Sequence, residues 1–424
     1  MENYLIALIS LILTASSIIW YWLKTTSSSK NNRNNRSNDT EQIFSSTNCL
    51  ITGGSSGLGK AIAMYLATEQ PFSRNGQRND AYFGRPRAIV LAARGKEGLL
   101  EAIDDIKKEQ EKVESKDDKK VSLLSQCMDV CREESVNEAI KQCIQQLQDT
   151  NTEESRRAQE DSKRLTENKS QNTEESRRAQ GDKHQQSHGN HVQTIDRHSS
   201  NESLTDTLVQ SKAYLDVIFC CAGACKPGLF AHQPLADYEA GMQLNYFGVL
   251  RTIKACLPHL NPQGARIVLI CSTAGLISFY GYSQYAPSKH ALRCFADILR
   301  HELLAMNPKH QLHIYFVSTI QTPGLLAESV GKPELTKRIE GTESSDCSVE
   351  ARTLTLLHGM HKGQFAICSD WITRMFMVSV QGVTPRQPLW WIIDGWLWLV
   401  SWIAIPIWVA WIEKQAKRER ISVQ

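Results

Sequence analysis

The sequence lacks two features that mark large classes of proteins, an excess of charge of one sign and a Cys-x-x-Cys pair. Its 48 lysine and arginine residues nearly balance its 45 aspartate and glutamate residues, which leaves a net charge of +3. We therefore expect no nucleic-acid partner. Its 12 cysteines include no Cys-x-x-Cys pair, which argues against zinc ribbons and disulfide-stapled secreted domains and favours a reducing compartment. No metal site is expected.

One long tract has few apolar residues. Residues 149–211 are polar and contain the sequence NTEESRRAQ twice, beginning at Asn151 and at Asn172. Such a segment cannot bury enough apolar surface to offset its chain entropy, so we expect a disordered low-complexity insert whose histidines are solvated. Residues 24–46 are expected to form a polar linker and residues 71–87 a polar loop insertion.

Tryptophan is absent between Trp22 and Trp371, and all 10 tryptophans lie near the two ends of the chain. The uncharged run from Tyr4 to Leu23 has about 20 residues, enough to cross a bilayer core as a helix. We expect a transmembrane anchor at residues 1–23. A cleaved signal peptide is the alternative, although no basic residue precedes the run. The basic residues that follow it place the remaining chain in the cytosol.

A second apolar segment, residues 389–412, is interrupted by Asp394 and Pro406 and is followed by a basic tail at residues 413–424. Tryptophan favours membrane interfaces, and an acidic residue near one end of a segment can lie at headgroup level. We expect this segment to contact the membrane. Whether it crosses, re-enters or lies in the plane stays open, and a buried core helix is a further alternative.

Between these segments, residues 47–370 alternate between short apolar runs and helical patterns. The predicted strands are Thr47–Thr52, Arg87–Arg94, Val121–Val130, Leu215–Ala222, Ala265–Ser272, Gln311–Ser318 and Gly363–Ser369. The predicted helices are Gly57–Glu69, Lys96–Glu114, Glu133–Leu147, Leu235–Leu257 and Ser283–Met306. Repeated βα units predict an α/β fold, a single Rossmann-like domain with a doubly wound parallel sheet and a ligand at the carboxyl ends of its strands.

A glycine-rich loop, TGGSSGLG from Thr52 to Gly59, connects the first predicted strand to the first helix. Glycines in this position allow the backbone to approach a pyrophosphate, whose charge meets the helix N-terminus. The second strand ends at Arg94, where a site that prefers NAD usually has an acidic residue. Arg94, with Lys96 or Ser55, suits the 2′-phosphate of NADPH. The alternative is that Arg94 is a solvated strand end.

Three side chains further along are spaced for carbonyl chemistry. Tyr285 and Lys289 lie four positions apart at the start of a predicted helix, and Ser272 ends the preceding strand. An ammonium beside a phenol favours the phenolate, which moves the phenol toward general acid–base use. Ser272 can hold a substrate carbonyl oxygen, and Lys289 can also bind the nicotinamide ribose. Tyr282 cannot replace Tyr285, because Ala286 stands four residues after it.

These motifs resemble the short-chain dehydrogenase/reductase family over about residues 47–370. More narrowly, the sequence is similar to the 3-ketodihydrosphingosine reductases, especially the fungal ones. That similarity lies in CCAGACKPGLF from Cys220, LNYFGVL from Leu244, FYGYSQYAPSKHAL from Phe279, KPELTKRIEG from Lys332 and the tryptophan-rich C-terminus. The Pro-Gly turn common in the family is replaced here by Val317-Ser318.

The resemblance implies further site residues. It implies that Asn245 is catalytic and holds a water for proton relay through Lys289, and that Thr322 contacts the nicotinamide carboxamide. It also implies that Asp129 meets the adenine. The complete expected cofactor set is Thr52, Gly53, Ser55, Ser56, Gly57, Leu58, Gly59, Arg94, Lys96, Asp129, Val130, Cys221, Ala222, Gly223, Tyr285, Lys289 and Thr322.

The function that the resemblance implies is NADPH-dependent reduction of 3-ketodihydrosphingosine to dihydrosphingosine, with Tyr285 as the proton donor. The expected setting is the endoplasmic reticulum membrane, with the catalytic domain facing the cytosol. The expected partners are the long-chain sphingoid ketone and the lipid bilayer, with a homo-oligomer possible. The alternatives are a membrane-bound reductase of another lipid carbonyl, such as a steroid, retinoid or 3-ketoacyl compound, and a catalytically idle nucleotide-binding scaffold.

Overall fold

A parallel sheet forms the centre of the molecule. The computed structural model describes residues 42–68, 83–113, 120–153, 156, 160, 212–340, 348–385 and 391–419. Within them, seven strands pair in the order β3-β2-β1-β4-β5-β6-β7, and every pairing is parallel. The strands are β1 Asn48–Thr52, β2 Ala88–Ala93, β3 Ser122–Cys127, β4 Val217–Cys220, β5 Arg266–Ile270, β6 Gln311–Phe316 and β7 Ala366–Cys368. The predicted α/β class and doubly wound sheet are confirmed.

Helices connect the strands. They are α1 Gly57–Thr68, α2 Lys96–Val113, α3 at residues 133–153, α4 Leu235–Met242, α5 Gly248–Cys256, α6 Ala286–Met306, α7 Pro323–Ser329, α8 Glu334–Glu340, α9 Val349–His361, α10 Trp371–Ser379 and α11 Trp391–Ala416. A π-helical turn, Gln243–Phe247, separates α4 from α5. The predicted helix at 235–257 is therefore interrupted in its middle, where Asn245 lies.

The core lies on both sides of the central strands. Every residue of β1 is buried, as expected for a parallel strand covered by helices on both faces. Phe44 is fully buried and its ring lies 6.3 Å from the ring of Phe219 in β4. Phe44 belongs to the end of the predicted polar linker, so the folded domain begins a few residues earlier than the apolar pattern of β1 indicates.

By internal contacts the chain divides into two units, residues 1–141 with 215–424, and residues 142–214. In the second unit the described backbone is helical to residue 153, six residues beyond the predicted helix end. Hydroxyls of Thr150 and Thr152 donate to the carbonyls of Gln146 and Gln148 in this part. The predicted anchor and most of the predicted insert and loop insertion lie outside the described residues.

The C-terminal apolar segment is one helix, α11, which continues through Pro406. Residues Ile393–Ala416 are long and apolar enough to cross a membrane. Their most apolar 18-residue stretch has a mean hydropathy of 1.7, and 17% of that stretch is buried. Length and composition alone make this weak evidence for a span. One side of α11 packs on the domain, because Trp408 contacts Phe279 and Phe376 at ring distances of 5.9 Å each.

Asp394 near the start of α11 has a partner that the sequence does not reveal. Its Oδ1 accepts hydrogen bonds from Nε of Arg374 at 3.0 Å and from Nη2 at 2.7 Å. Both side chains are largely buried, with 13% of Arg374 and 6% of Asp394 exposed. Asp394 therefore docks α11 onto α10.

Candidate active site

The glycine-rich loop packs backbone against backbone at the carboxyl end of β1. Gly53 has a φ of +68°, and a Cβ there would lie 2.9 Å from the nitrogen of Ala222. A Cβ on Gly59 would lie 2.4 Å from the carbonyl oxygen of Gly53. The Thr52 hydroxyl accepts the N–H of Ala222 at 3.3 Å. Glycine is thus required for the loop to lie this close to α1 and to the segment after β4.

This cradle fits a dinucleotide. Gly57 has a φ of +54°, and a Cβ on this residue would lie 3.5 Å from the methyl carbon of Thr322. Thr322 caps α7, since its hydroxyl accepts the N–H of Leu325 at 3.3 Å. The predicted residues Ser55, Ser56 and Leu58 belong to the same turn at the start of α1. Open backbone at a helix N-terminus is what a pyrophosphate needs.

The predicted adenosine-side residues gather at the ends of β2 and β3. Arg94 and Lys96 are exposed. Asp129 accepts the N–H of Cys131 at 3.0 Å through Oδ1. Burial raises the pKa of the Cys131 thiol, Asp129 raises it further and Arg94 lowers it, so the charges of Asp129 and Arg94 both reach this turn. Val130 is buried against Gly248.

Ser272, Tyr285 and Lys289 converge as their spacing predicts. Tyr285 directly precedes α6, and the Ser272 side chain is close enough to the Tyr285 hydroxyl to lower its pKa by hydrogen bonding. The Lys289 ammonium lies 5.6 Å from the centre of the Tyr285 ring and donates to the carbonyl of Ile270 at 2.9 Å. Lys289 is only 4% exposed. The three side chains therefore form one site at the carboxyl end of β5.

The protein alone does not lower the pKa of Tyr285. Burial raises it well above the usual value, nearby Cys225 and Cys271 add to the rise, and the hydrogen bond from Ser272 opposes it. Burial also lowers the pKa of Lys289. Desolvation is therefore the largest cause of the pKa shift at both groups, since both lose water on folding.

Asn245 lies next to this site in the π-helical turn. Its Oδ1 accepts the N–H of Ala224 at 3.0 Å, and its Nδ2 donates to the Ala224 carbonyl at 2.9 Å. A Cβ on Gly223 would lie 3.0 Å from Asn245 Oδ1 and 3.6 Å from Lys289 Nζ. The segment from Cys221 to Gly223 thus lies between the glycine-rich loop and Lys289, and Asn245 is hydrogen-bonded to Ala224, the residue that follows this segment.

Comparisons with known proteins agree with this geometry. The family described as short chain dehydrogenase matches residues 158–322, which include Asn245, Ser272, Tyr285 and Lys289 but not the glycine-rich loop. This part of the chain is therefore similar to the short-chain dehydrogenase/reductase family. The glycine-rich loop lies outside the matched residues, but the structure brings it to the same region, because β1, which precedes the loop, pairs with β4 in the sheet.

The chain is also similar to curated proteins named 3-ketodihydrosphingosine reductase. The one from Dictyostelium discoideum is 36% identical over 174 residues, which are 40% of this chain and 51% of the relative. Those from Aspergillus fumigatus and Cryptococcus neoformans are 28% and 30% identical over 212 residues, with 45% and 49% of this chain and 56% and 62% of the relatives covered. The matches thus span about half the length of these relatives.

Solved structures show the same fold. A short-chain dehydrogenase/reductase from Burkholderia phymatum, solved in complex with NAD, covers 82% of this chain and 99% of its own, with a TM-score of 0.50 and 16% identity. A short-chain type dehydrogenase/reductase from Mycobacterium ulcerans covers 77% of this chain and 88% of its own, with a TM-score of 0.50 and 14% identity. At these identities the likeness concerns the fold alone.

Proposed function

We propose that this protein is an NADPH-dependent reductase of a long-chain sphingoid ketone, which converts 3-ketodihydrosphingosine to dihydrosphingosine. The observation that carries the proposal is the contact of Tyr285 with Ser272 above the buried ammonium of Lys289. Relatives named for this reaction support the substrate. The exposed Arg94 at the end of β2 supports NADPH over NADH.

In the proposed reaction the cofactor supplies the hydride that adds to the C3 carbonyl carbon. The chain supplies the proton and the positions. Ser272 hydrogen-bonds the carbonyl oxygen, and Tyr285 transfers its phenolic proton to that oxygen as the alcohol forms. Lys289 holds its ammonium next to the phenol, where it stabilises the phenolate left behind. Asn245 keeps the backbone beside Lys289 in place through its two bonds to Ala224.

The membrane setting follows from the chemistry of such a substrate. Moving the substrate from a bilayer into water costs about 0.8 kcal/mol for each CH₂ of its alkyl chain, so extraction of the whole lipid is very costly. The side of α11 that faces away from the domain exposes Trp398, Leu399, Trp402 and Ile403. This surface supports contact with a bilayer, which we propose to be that of the endoplasmic reticulum with the domain on its cytosolic side.

The test is direct. The full chain in detergent or microsomes is incubated with 3-ketodihydrosphingosine and either NADPH or NADH, and the product is identified by mass. We expect dihydrosphingosine, formed faster with NADPH. Tyr285→Phe should abolish turnover and keep NADPH binding, measured by nucleotide fluorescence, because only the transferable proton is lost. Tyr280→Phe, in the same loop, is the control and should stay active.

Two other outcomes would replace the proposal. Turnover of steroid, retinoid or 3-ketoacyl ketones with none of the sphingoid ketone would show a reductase of another lipid. Nucleotide binding without turnover of any carbonyl would show a scaffold. A Tyr285→Phe variant with nearly full activity would contradict the role of Tyr285.

A further inference from the structure

A buried ionic cluster adjoins the proposed catalytic tyrosine. We call it the clasp and define it as Tyr282, Glu328, Lys332 and Glu340. The Lys332 ammonium lies 2.9 Å from Glu328 Oε1 and 2.7 Å from Glu340 Oε2, and 3% of the lysine side chain is exposed. The Tyr282 hydroxyl donates to Glu328 Oε1 at 2.5 Å and also contacts Glu340.

The clasp contains two carboxylates and one ammonium. Burial lowers the pKa of Lys332, but the hydrogen bonds and charges of Glu340 and Glu328 outweigh burial and raise it, so the lysine stays charged. The Lys332 ammonium also lies 5.7 Å from the centre of the Tyr282 ring. With both glutamates ionised, the clasp has a net charge of about −1. Removing one glutamate charge brings this net charge to zero, and removing the lysine charge makes it twice as negative.

Tyr282 connects the clasp to Tyr285. Its carbonyl accepts the N–H groups of Tyr285 at 3.0 Å and of Ala286 at 2.9 Å, in the turn that leads into α6. The rings of Tyr282 and Tyr285 lie 6.0 Å apart. A shift of Tyr282 would therefore move the proposed proton donor. Tyr282 thus has a structural role, although it lacks the lysine four residues later that a catalytic tyrosine would need.

The clasp also contacts the two helices, α7 and α8, that follow Thr322, the expected nicotinamide contact. Glu328 lies in α7, which Thr322 caps, and Glu340 ends α8. Thr336 in α8 donates to the carbonyl of Tyr280 at 2.8 Å. Helices α7 and α8 are thus joined to the loop before α6 by the hydrogen bonds of Tyr282 to the two glutamates and by the bond from Thr336 to Tyr280.

Several titratable groups surround Tyr285 from different elements. Lys289 approaches from α6 itself, Cys271 from the end of β5 and Cys225 from the segment after β4. After burial and the two cysteines, the charge of Glu328 in α7 also raises the pKa of Tyr285. The negative clasp thus disfavours the phenolate, in opposition to Lys289.

We propose that Glu328 and Lys332 are positioning residues. They act through Tyr282 to hold Tyr285 in place, and their charges set the electrostatic field in which Tyr285 exchanges its proton. The inference rests on the proposed function, since it requires Tyr285 to exchange a proton with the substrate. It assigns a role to side chains that lie outside the expected catalytic set.

The sign of the charge separates this role from a merely structural one. Oxidation of dihydrosphingosine with NADP⁺ requires the phenolate of Tyr285. At a fixed pH below its pKa, Glu328→Gln should therefore raise kcat, because a negative charge is removed, and Lys332→Met should lower it. We expect changes of about threefold in opposite directions, a size consistent with one unit charge acting across a partly hydrated site.

Matched controls lie in α8, the helix that ends at Glu340. Glu334 and Lys337 of α8 form a pair at 3.5 Å with 71% and 49% of their side chains exposed, so Glu334→Gln and Lys337→Met should leave kcat unchanged. Lys332→Arg keeps the charge and should also behave as the wild type. Thermal melting of each variant shows whether it is folded. Should Lys332→Met not fold, Glu340→Gln replaces it as a second neutralising change and should raise kcat.

The outcomes distinguish the two proposals. A wild-type protein that turns over neither sphingoid ketone nor alcohol contradicts the proposed function itself. An active wild type in which folded Glu328→Gln and Glu340→Gln both lower kcat, or leave it unchanged, overturns the role of the clasp and leaves the proposed function standing.

Discussion

Gly59→Ala tests the geometry of the nucleotide cradle most sharply. The added methyl group would lie 2.4 Å from the carbonyl oxygen of Gly53 and 3.0 Å from its carbonyl carbon. Both atoms are backbone, so α1 or the loop must move. Alanine is a better helix former than glycine by up to about 1 kcal/mol. The steric cost, about 1–3 kcal/mol for an overpacked site, should exceed that gain.

The matched control is Gly98→Ala. Gly98 is the third residue of α2, as Gly59 is of α1, and a Cβ there would meet only Ser55 Cβ at the ordinary distance of 3.6 Å. We expect thermal melting to show a lower Tm for Gly59→Ala, by roughly 2–4 °C per kcal/mol, and an equal or higher Tm for Gly98→Ala. NADPH titration should show weaker binding for Gly59→Ala. Equal melting and equal binding of both variants would refute the close approach of loop and helix.

Three further predictions concern other parts of the molecule. Arg94→Asp should lower the ratio of NADPH to NADH efficiency, because a charge-assisted contact becomes a repulsion; an unchanged ratio would show that Arg94 does not bind the cofactor. Arg374→Leu should leave Asp394 buried without its guanidinium and weaken the docking of α11 by about 3 kcal/mol or more, seen as faster proteolytic removal of the C-terminus, whereas equal cleavage would show that the ion pair does not dock the helix. Replacing residues 149–211 with a short Gly/Ser bridge should keep reductase activity, because a looped-out segment changes closure entropy little; loss of folding would show that the tract packs.

The sequence predicts much of the sheet because its signals are local. Each of the seven predicted strands overlaps an observed one, since parallel strands buried on both faces read as short apolar runs. The three catalytic candidates are also local signals, because Tyr285 and Lys289 lie one helical turn apart and Ser272 follows a strand. The interruption at Gln243–Phe247 carries no such signal, and the helical pattern of 235–257 continues through it.

The sequence by itself determined the class of fold, the glycine-rich loop and the grouping of Ser272, Tyr285 and Lys289, because each depends on residue type at short spacing. Only the tertiary structure decided which charges meet. Asp394 reads as a residue near a membrane surface until α10 brings Arg374 to it. Tyr282, Glu328 and Glu340 are far apart in sequence, and the packing of α7 and α8 against the loop before α6 makes them neighbours. Contacts of this kind depend on the arrangement of whole elements, which residue spacing does not encode.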